Sequence, residues 1–193
     1  DGAAAVVMVG SDRAARLPIT GPDVIGTCSR LYPGTEDVLG FNPGESGFRI
    51  VLTAGVADVI DSHFAEDVAG FLGDHDLSVS DIDVWIAHPG GPRVLDSFSK
   101  TLDLPPGALD VSWNSMAHVG NMSSASVLHV LADTLALNRF VSGGQGLLFA
   151  LGPGLCAELV LLQWPQDEPA LTARVESISI LDGGVRANDL LAL

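Results

Sequence analysis

Three short apolar runs limit the folds that are open to this chain of 193 residues. They cover Ile82–Ala87, Leu147–Leu151 and Ala157–Gln163, and each has the length of a strand. Nearly continuous apolar character over such a length is typical of strands that are buried on both faces of a sheet. The last two runs flank a Gly-Pro-Gly sequence at 152–154, so they predict an antiparallel hairpin.

Segments with helical periodicity alternate with these runs. Apolar residues between Val56 and Leu72 recur at helical spacing and predict a helix of about four turns that stops at Gly73. Pro92 predicts the start of a second helix, and the pattern over 121–137 predicts a third. Further strands are predicted over Ala3–Val9 and Gly47–Leu52, with loops and short strands over 11–47. The alternation predicts an α/β fold, a layered sandwich.

Composition excludes several classes of protein. With 47% hydrophobic and 17% charged residues, the chain as a whole is not disordered. Nine Lys and Arg against 24 Asp and Glu give a net charge of −15, which repels phosphate backbones and anionic lipid. Binding to nucleic acid or to a membrane surface is therefore not expected as a main role. An anionic small-molecule ligand is still compatible with this net charge, because its binding needs only a local positive charge.

The two cysteines, Cys28 and Cys156, are too few and too far apart for a disulfide framework or a zinc ribbon. Four of the five histidines, His63, His75, His118 and His129, have no metal-ligand spacing with cysteines or carboxylates, so no metal is assigned. Neither a signal peptide nor a membrane-spanning run is evident, and we expect a cytoplasmic location.

The most informative local feature is the His-Pro-Gly-Gly-Pro run at 88–92, directly after a predicted strand. It places the imidazole of His88 at the carboxyl edge of the sheet, where ligands bind in open α/β folds. The two glycines allow a substrate to approach the backbone closely. A histidine that merely ends a strand is the competing interpretation.

Two other motifs have structural explanations as well as functional ones. Asn121 begins the Gly-Asn-Met-Ser-Ser-Ala run at 120–125, which is typical of a helix N-cap with a tightly packed first turn. The Gly-Pro-Gly sequence at 152–154 precedes a strand rather than a helix, so it is not a phosphate loop of the usual kind. It is either a plain hairpin turn or a backbone wall of a cavity.

Together these motifs resemble the C-terminal half of a type III polyketide synthase of the chalcone-synthase-like family. The opening Asp-Gly-Ala-Ala-Ala is similar to the family's mid-chain Gly-Asp-Gly-Ala-Ala-Ala segment, as though entered part-way. The likeness to bacterial alkylresorcinol and alkylpyrone synthases rests on Thr35–Val38, Ser46–Phe48 and Gly107–Trp113. The family resemblance covers residues 1–164, which we treat as one domain, and residues 165–193 are a C-terminal extension of unknown role.

The resemblance implies a thiolase-like fold, of which this chain is the C-terminal half, and a Cys-His-Asn triad. His88 and Asn121 match the histidine and the asparagine, whereas the triad cysteine belongs to the N-terminal half. Neither Cys28 nor Cys156 matches the nucleophile motif. The resemblance also suggests a set of substrate-binding residues: Ile50, Arg93, Ser123, Gly152, Pro153 and Gly154. Ile50 stands where plant relatives carry a bulky aromatic gate, which suits a longer acyl chain.

The expected reaction is a decarboxylative Claisen condensation. A long-chain acyl-CoA starter is extended with malonyl-CoA or methylmalonyl-CoA, and an alkylpyrone or alkylresorcinol is released. The resemblance implies a homodimer, and no cofactor beyond the coenzyme A thioesters that serve as substrates. We expect this chain alone to be inactive, because it lacks the nucleophile. The alternatives are a ketoacyl-carrier-protein synthase of the same superfamily and an inactive module that only associates.

Overall fold

A computed structural model describes residues 2–17, 21–45, 47–137 and 139–166. Two sheets and the helices around them account for most of these residues. The strands are β1 (Asp23–Leu31), β2 (Leu39–Gly44), β3 (Gly47–Leu52), β4 (Ile82–Ala87), β5 (Gln145–Gly152) and β6 (Cys156–Gln163). The helices are α1 (Ser11–Ala14), α2 (Gly55–Val59), α3 (Ala65–Gly73), α4 (Pro92–Thr101), α5 (Asp110–Val119) and α6 (Ala125–Ala136). A π-helical turn, Ile60–Phe64, joins α2 to α3, and a short 3₁₀ turn, Val79–Asp81, precedes β4.

The main sheet has the strand order β1-β6-β5-β4. Strands β4 and β5 are parallel, whereas β6 runs antiparallel to both of its neighbours. The predicted hairpin of β5 and β6 is confirmed, with Gly152 paired to Cys156 at its turn. Strands β2 and β3 form a separate two-stranded hairpin.

Successive residues of the central strands enter two different hydrophobic cores, as the period of two in a strand requires. Trp85, Leu147 and Phe149 face the helices from α2 to α4. In that core the ring of Phe149 lies 5.2 Å from the ring of Phe64 and 4.8 Å from that of Phe98. These aromatic contacts fix the layer of helices to one face of the sheet.

The opposite face packs against α6 and part of α5. Val84 and Ile86 of β4 meet Val127 and Val130 of α6 in this second core. The sheet is therefore covered by helices on both faces, and the predicted layered α/β sandwich is confirmed.

Two predictions about elements were wrong. The Ala3–Val9 run is not a strand: it is irregular and almost wholly exposed, because it has no strand partner in the described part of the chain. The helix predicted over 121–137 begins only at Ala125, because Asn121 and the residues after it form a loop. The extension proposed for 165–193 lies outside the described residues from position 167 onward.

Among the described residues, none of the helices combines the length and the apolar character that crossing a bilayer requires.

Candidate active site

Strand β4 brings His88 to the carboxyl end of the parallel pair of strands. The backbone N–H of His88 donates to the carbonyl of Phe149 in β5 at 2.9 Å. His88 thus continues the ladder by one residue beyond Ala87, the last residue of β4. Because β5 continues to Gly152 beyond this point, its end lies at the same edge of the sheet.

The turn after His88 fixes the backbone of the residue that carries the imidazole. The N–H of Gly90 donates to the carbonyl of His88 at 2.9 Å, and α4 begins two residues later at Pro92. A Cβ atom built on Gly90 would lie 3.5 Å from Cδ2 and 3.7 Å from Nε2 of the His88 ring. Glycine at this position therefore leaves the Nε2 edge of the imidazole uncovered.

Burial favours the neutral form of the His88 imidazole. The residue is half-buried, and desolvation lowers the pKa of the imidazole below its ordinary value. At neutral pH the ring is therefore neutral, with one N–H donor and one acceptor lone pair. Its Nδ1 atom is fully buried and has no hydrogen-bond partner among the described residues.

Asn121 is joined to the histidine turn by its side chain. Its Nδ2 donates to the carbonyl of Gly90 at 3.1 Å, and its Oδ1 accepts the N–H of Ser123 at 2.8 Å. These two bonds fix which way the carboxamide faces, and the second N–H of Nδ2 stays available. The side chain of Asn121 is thus linked through Gly90 to the backbone of His88.

The loop around Asn121 corrects the expectation that this residue caps a helix. Its bond to Ser123 is an Asx turn, and Ser124 is the residue at the N-cap of α6. Gly120 and Ser123 have φ angles of 74° and 59°, in the left-handed region. Ser123 therefore joins the site through its backbone N–H, while its side chain is exposed.

Two buried serines that sequence reasoning missed support this site. The hydroxyl of Ser112 donates to the carbonyl of Ala87 at 2.9 Å, directly before His88. The hydroxyl of Ser126 accepts the N–H of Met122 at 2.7 Å, directly after Asn121. Neither serine is exposed to solvent. The sequence gives no signal for them, because an apolar pattern does not distinguish a buried serine from an exposed one.

The Gly-Pro-Gly turn lies beside the β2–β3 hairpin. The N–H of Gly154 donates to the carbonyl of Leu39 at 2.7 Å, and its φ of 92° requires glycine. Pro153 and Gly154 line an open depression of about 560 Å³, together with Phe41 and two acidic residues. Gly152 ends β5 at the same edge of the sheet as His88.

The structure places Ile50 and Arg93 apart from the linked pair. Ile50 lies on β3, opposite Phe41, with 64% of its surface exposed, and it is not part of the lining of the depression. Arg93 is exposed in the first turn of α4, which follows the histidine turn. The structure therefore joins His88, Asn121 and Ser123 in one cluster, with the other predicted residues around it.

The cluster offers two neutral N–H donors, one from an imidazole and one from a carboxamide. Such a pair suits an oxygen atom that gains negative charge during a reaction. The thiols lie elsewhere: Cys28 is in β1, and the Sγ of Cys156 lies 3.9 Å from the carbonyl of Pro153 at the hairpin turn.

Comparisons with known proteins identify the family of the chain. Residues 24–164 match the family model described as chalcone and stilbene synthases, C-terminal domain. A 1,3,6,8-tetrahydroxynaphthalene synthase from Streptomyces peucetius is 52% identical over 164 residues, which are 85% of this chain and 43% of that protein. The α-pyrone synthesis polyketide synthase-like Pks18 of Mycobacterium tuberculosis is 32% identical over 83% of this chain and 41% of its own length.

Solved structures show the same relationship. The crystal structure of the 1,3,6,8-tetrahydroxynaphthalene synthase of Streptomyces coelicolor, a bacterial type III polyketide synthase, matches 76% of this chain and 42% of that one. The TM-score is 0.71 at 34% identity. The fold is thus thiolase-like, as predicted, and the chain spans less than half the length of the relatives it matches. By its motifs, its fold and these matches, the chain belongs to the chalcone and stilbene synthase family, the type III polyketide synthases, and corresponds to their C-terminal domain.

Proposed function

We propose that this chain supplies the histidine and the asparagine of a type III polyketide synthase that condenses thioesters with loss of carbon dioxide. The observation that carries the proposal is the hydrogen bond from Asn121 Nδ2 to the carbonyl of Gly90, two residues after His88. It joins Asn121 to the histidine turn across 31 residues of sequence. The nucleophilic cysteine comes from the part of the synthase that this chain does not span.

The two donors act on the enolate that decarboxylation creates. When the bond between the carboxylate and the α-carbon of a malonyl thioester breaks, its electron pair moves into the thioester and places negative charge on the carbonyl oxygen. The N–H groups of His88 and Asn121 stabilise that oxygen. The α-carbon then attacks the acyl thioester on the cysteine, a carbon–carbon bond forms, and the thiolate leaves.

His88 has a second role before this step. A neutral imidazole beside a thiol accepts its proton and holds the resulting thiolate, which is the form that attacks a starter thioester. The lowered pKa of His88 keeps the ring neutral and ready for that transfer at neutral pH. Asn121 has no titratable group and takes part only as a donor.

The substrates are coenzyme A thioesters, and no metal or organic cofactor takes part. We propose a long-chain acyl-CoA starter, on the resemblance of position 50 to the aromatic gate of plant relatives, although Ile50 itself lies on the exposed face of β3. Malonyl-CoA or methylmalonyl-CoA is the extender, and an alkylpyrone or alkylresorcinol is the product. The 52% identical relative is named for a tetrahydroxynaphthalene product instead, which supports a second candidate: a synthase that both starts and extends with malonyl units.

The remaining predicted residues form the surroundings of the site. We propose that Arg93, which is exposed in the first turn of α4, binds a coenzyme A phosphate. Ser123 orients the Asn121 carboxamide through its backbone N–H. For Gly152, Pro153 and Gly154 we propose that their turn forms a wall of the substrate cavity. We also propose a cytoplasmic location.

A chimaeric synthase tests the proposal. In it, the matching segment of this chain replaces the aligned 164 residues of the Streptomyces peucetius relative. We expect the chimaera to release labelled carbon dioxide from malonyl-CoA and to form a polyketide, whereas the 193-residue chain alone does neither. Mass spectrometry of the products separates a naphthalene from an alkylpyrone or alkylresorcinol.

Three results contradict the proposal. A well-folded chimaera without decarboxylation would leave this chain as a module that only associates. Turnover that requires an acyl-carrier-protein substrate would identify a ketoacyl-carrier-protein synthase instead. Polyketide formation by the 193-residue chain alone would show that its own cysteines suffice.

The homodimer that we propose for the synthase has a simple consequence for this chain. Phe41, Phe48, Ile50 and Leu52 lie on one face of the β2–β3 hairpin, by their register, and are between 52% and 79% exposed. Exposed apolar patches of this kind drive association. We expect the chain to self-associate with rising concentration in light scattering, and Phe48→Ser to weaken the association. A monodisperse monomer throughout the series would contradict this expectation.

A further inference from the structure

The peptide that leads into His88 lies at an edge of the main sheet. In the described part of the chain, β4 is an outer strand, bonded only to β5. The N–H of His88 points to β5, where it meets the carbonyl of Phe149. In a trans peptide the carbonyl points the opposite way, so the carbonyl of Ala87 is directed away from β5.

A single hydroxyl pairs this outward carbonyl. Ser112, in the first turn of α5, donates to it at 2.9 Å, and both Ser112 and Ala87 are completely buried. A buried carbonyl that loses its partner destabilises the folded arrangement, because nothing then compensates for its removal from water. Ser112 lies 25 residues from Ala87 in sequence, and its helix leads directly into the Asn121 loop.

We infer that Ser112 is a positioning residue: its hydroxyl holds the Ala87–His88 peptide plane and so places the imidazole beside Asn121. Its effect on catalysis rests on the function proposed above. Its effect on the position of His88 does not.

The hydrogen bonds around His88 show why the bond from Ser112 to the carbonyl of Ala87 matters. The peptide before His88 is held on one side by Phe149 and on the other by Ser112, and the carbonyl of His88 is held by Gly90. With all three bonds present, only the two side-chain torsions of the histidine remain free. Without the Ser112 bond, the peptide plane between Ala87 and His88 can tilt about the hydrogen bond that joins it to Phe149 of β5. A displacement of about 1 Å at a reacting group can lower a rate by about 100-fold.

Ser115 offers a matched control on the same helix. It is 3% exposed, and its hydroxyl has no hydrogen-bond partner among the described residues. Ser115→Ala therefore removes a buried hydroxyl from α5 without breaking a bond. A comparison of Ser112→Ala with Ser115→Ala separates the hydrogen bond from a general loosening of the helix.

The first readout is the NMR signal of the imidazole in the 193-residue chain. With labelled histidine, the chain gives five ring signals, and His88→Gln identifies that of His88. We expect Ser112→Ala to shift or split the His88 signal and to leave the other four in place. Ser115→Ala should move none of them. If Ser112→Ala unfolds the chain, all five signals move together, and Ser112→Cys, which keeps the size but donates weakly, replaces it in the comparison.

The second readout is kinetic and uses the chimaeric synthase. Ser112→Ala should lower kcat for malonyl decarboxylation by about tenfold or more, with KM changed by less than about twofold, because geometry rather than binding is lost. An unmoved His88 signal overturns the positioning role, and so does an equal shift in Ser115→Ala. A shifted signal with unchanged kcat overturns its importance for the reaction. An inactive parent chimaera overturns the proposed function, while the NMR comparison still decides whether Ser112 positions His88.

Discussion

Alanine at position 88 is expected to abolish both half-reactions of the chimaeric synthase. The imidazole is the only group assigned to activating the thiol, and it is also one of two donors to the enolate oxygen. Loss of one such donor lowers a rate by about 10²–10³-fold. His88→Ala should therefore lower decarboxylation by at least this factor and also prevent acylation of the cysteine by the starter.

Asn121→Ala should separate the two half-reactions. The carboxamide is needed where a full negative charge develops on oxygen, so decarboxylation should fall by about 10²-fold or more. Loading of the starter requires only attack by a thiolate and should be largely retained. Acyl-enzyme formation is followed by mass spectrometry, and decarboxylation by labelled carbon dioxide released from malonyl-CoA.

Matched variants on α5 control for the loss of a histidine or an asparagine as such. His118 and Asn114 are exposed and bonded to each other, since Nδ1 of His118 lies 2.7 Å from the carbonyl of Asn114. His118→Ala and Asn114→Ala should leave both half-reactions within about twofold, as surface substitutions usually do. Equal loss of loading and decarboxylation in Asn121→Ala would refute the division of labour, even with the family membership intact.

Strands were predictable from the sequence because burial on both faces leaves a continuous apolar run. The run at Ile82–Ala87 coincides with β4 residue for residue. The run at Gly47–Leu52 coincides with β3 in the same way, although that strand is largely exposed, so burial on both faces does not explain its apolar residues. The helix between Val56 and Leu72 was also found, although its π-helical turn was not, since a local change of winding leaves the apolar spacing nearly intact.

The rest depended on contacts that a linear pattern does not contain. Helix α5 buries two serines, Ser112 and Ser115, beside Val111, and these buried hydroxyls interrupt the apolar pattern that would mark its buried face. The segment Ala3–Val9 has the composition of a strand, but a strand also needs a neighbour. For Asn121, the sequence indicated the residue but not its partner, because the bond to Gly90 exists only after β4 and α5 have packed together.

The histidine of the site is also tied to the core of the domain through Phe149. This residue pairs with Ala87 in the ladder and accepts the N–H of His88, while its ring is completely buried against three other aromatic rings. Those rings belong to Phe64, Phe98 and Trp85, at centroid distances between 4.8 and 6.3 Å. The layer of helices and the end of β4 therefore meet at one residue, the former at its ring and the latter at its backbone.

Phe149→Ala should accordingly lower the free energy of unfolding of the chain by about 3–5 kcal/mol, the usual cost of deleting a buried phenyl ring. Phe48→Ala is the matched control at protein concentrations below the onset of self-association, because the same atoms are removed from a ring that is 79% exposed, and its effect there should stay within about 0.5 kcal/mol. Urea unfolding, followed by tryptophan fluorescence, measures both. Since the bond from His88 is to the backbone of Phe149, a folded Phe149→Ala chain keeps that partner and loses only the packing behind it. Similar losses in the two variants would mean that Phe149 does not join the helices to the sheet in solution.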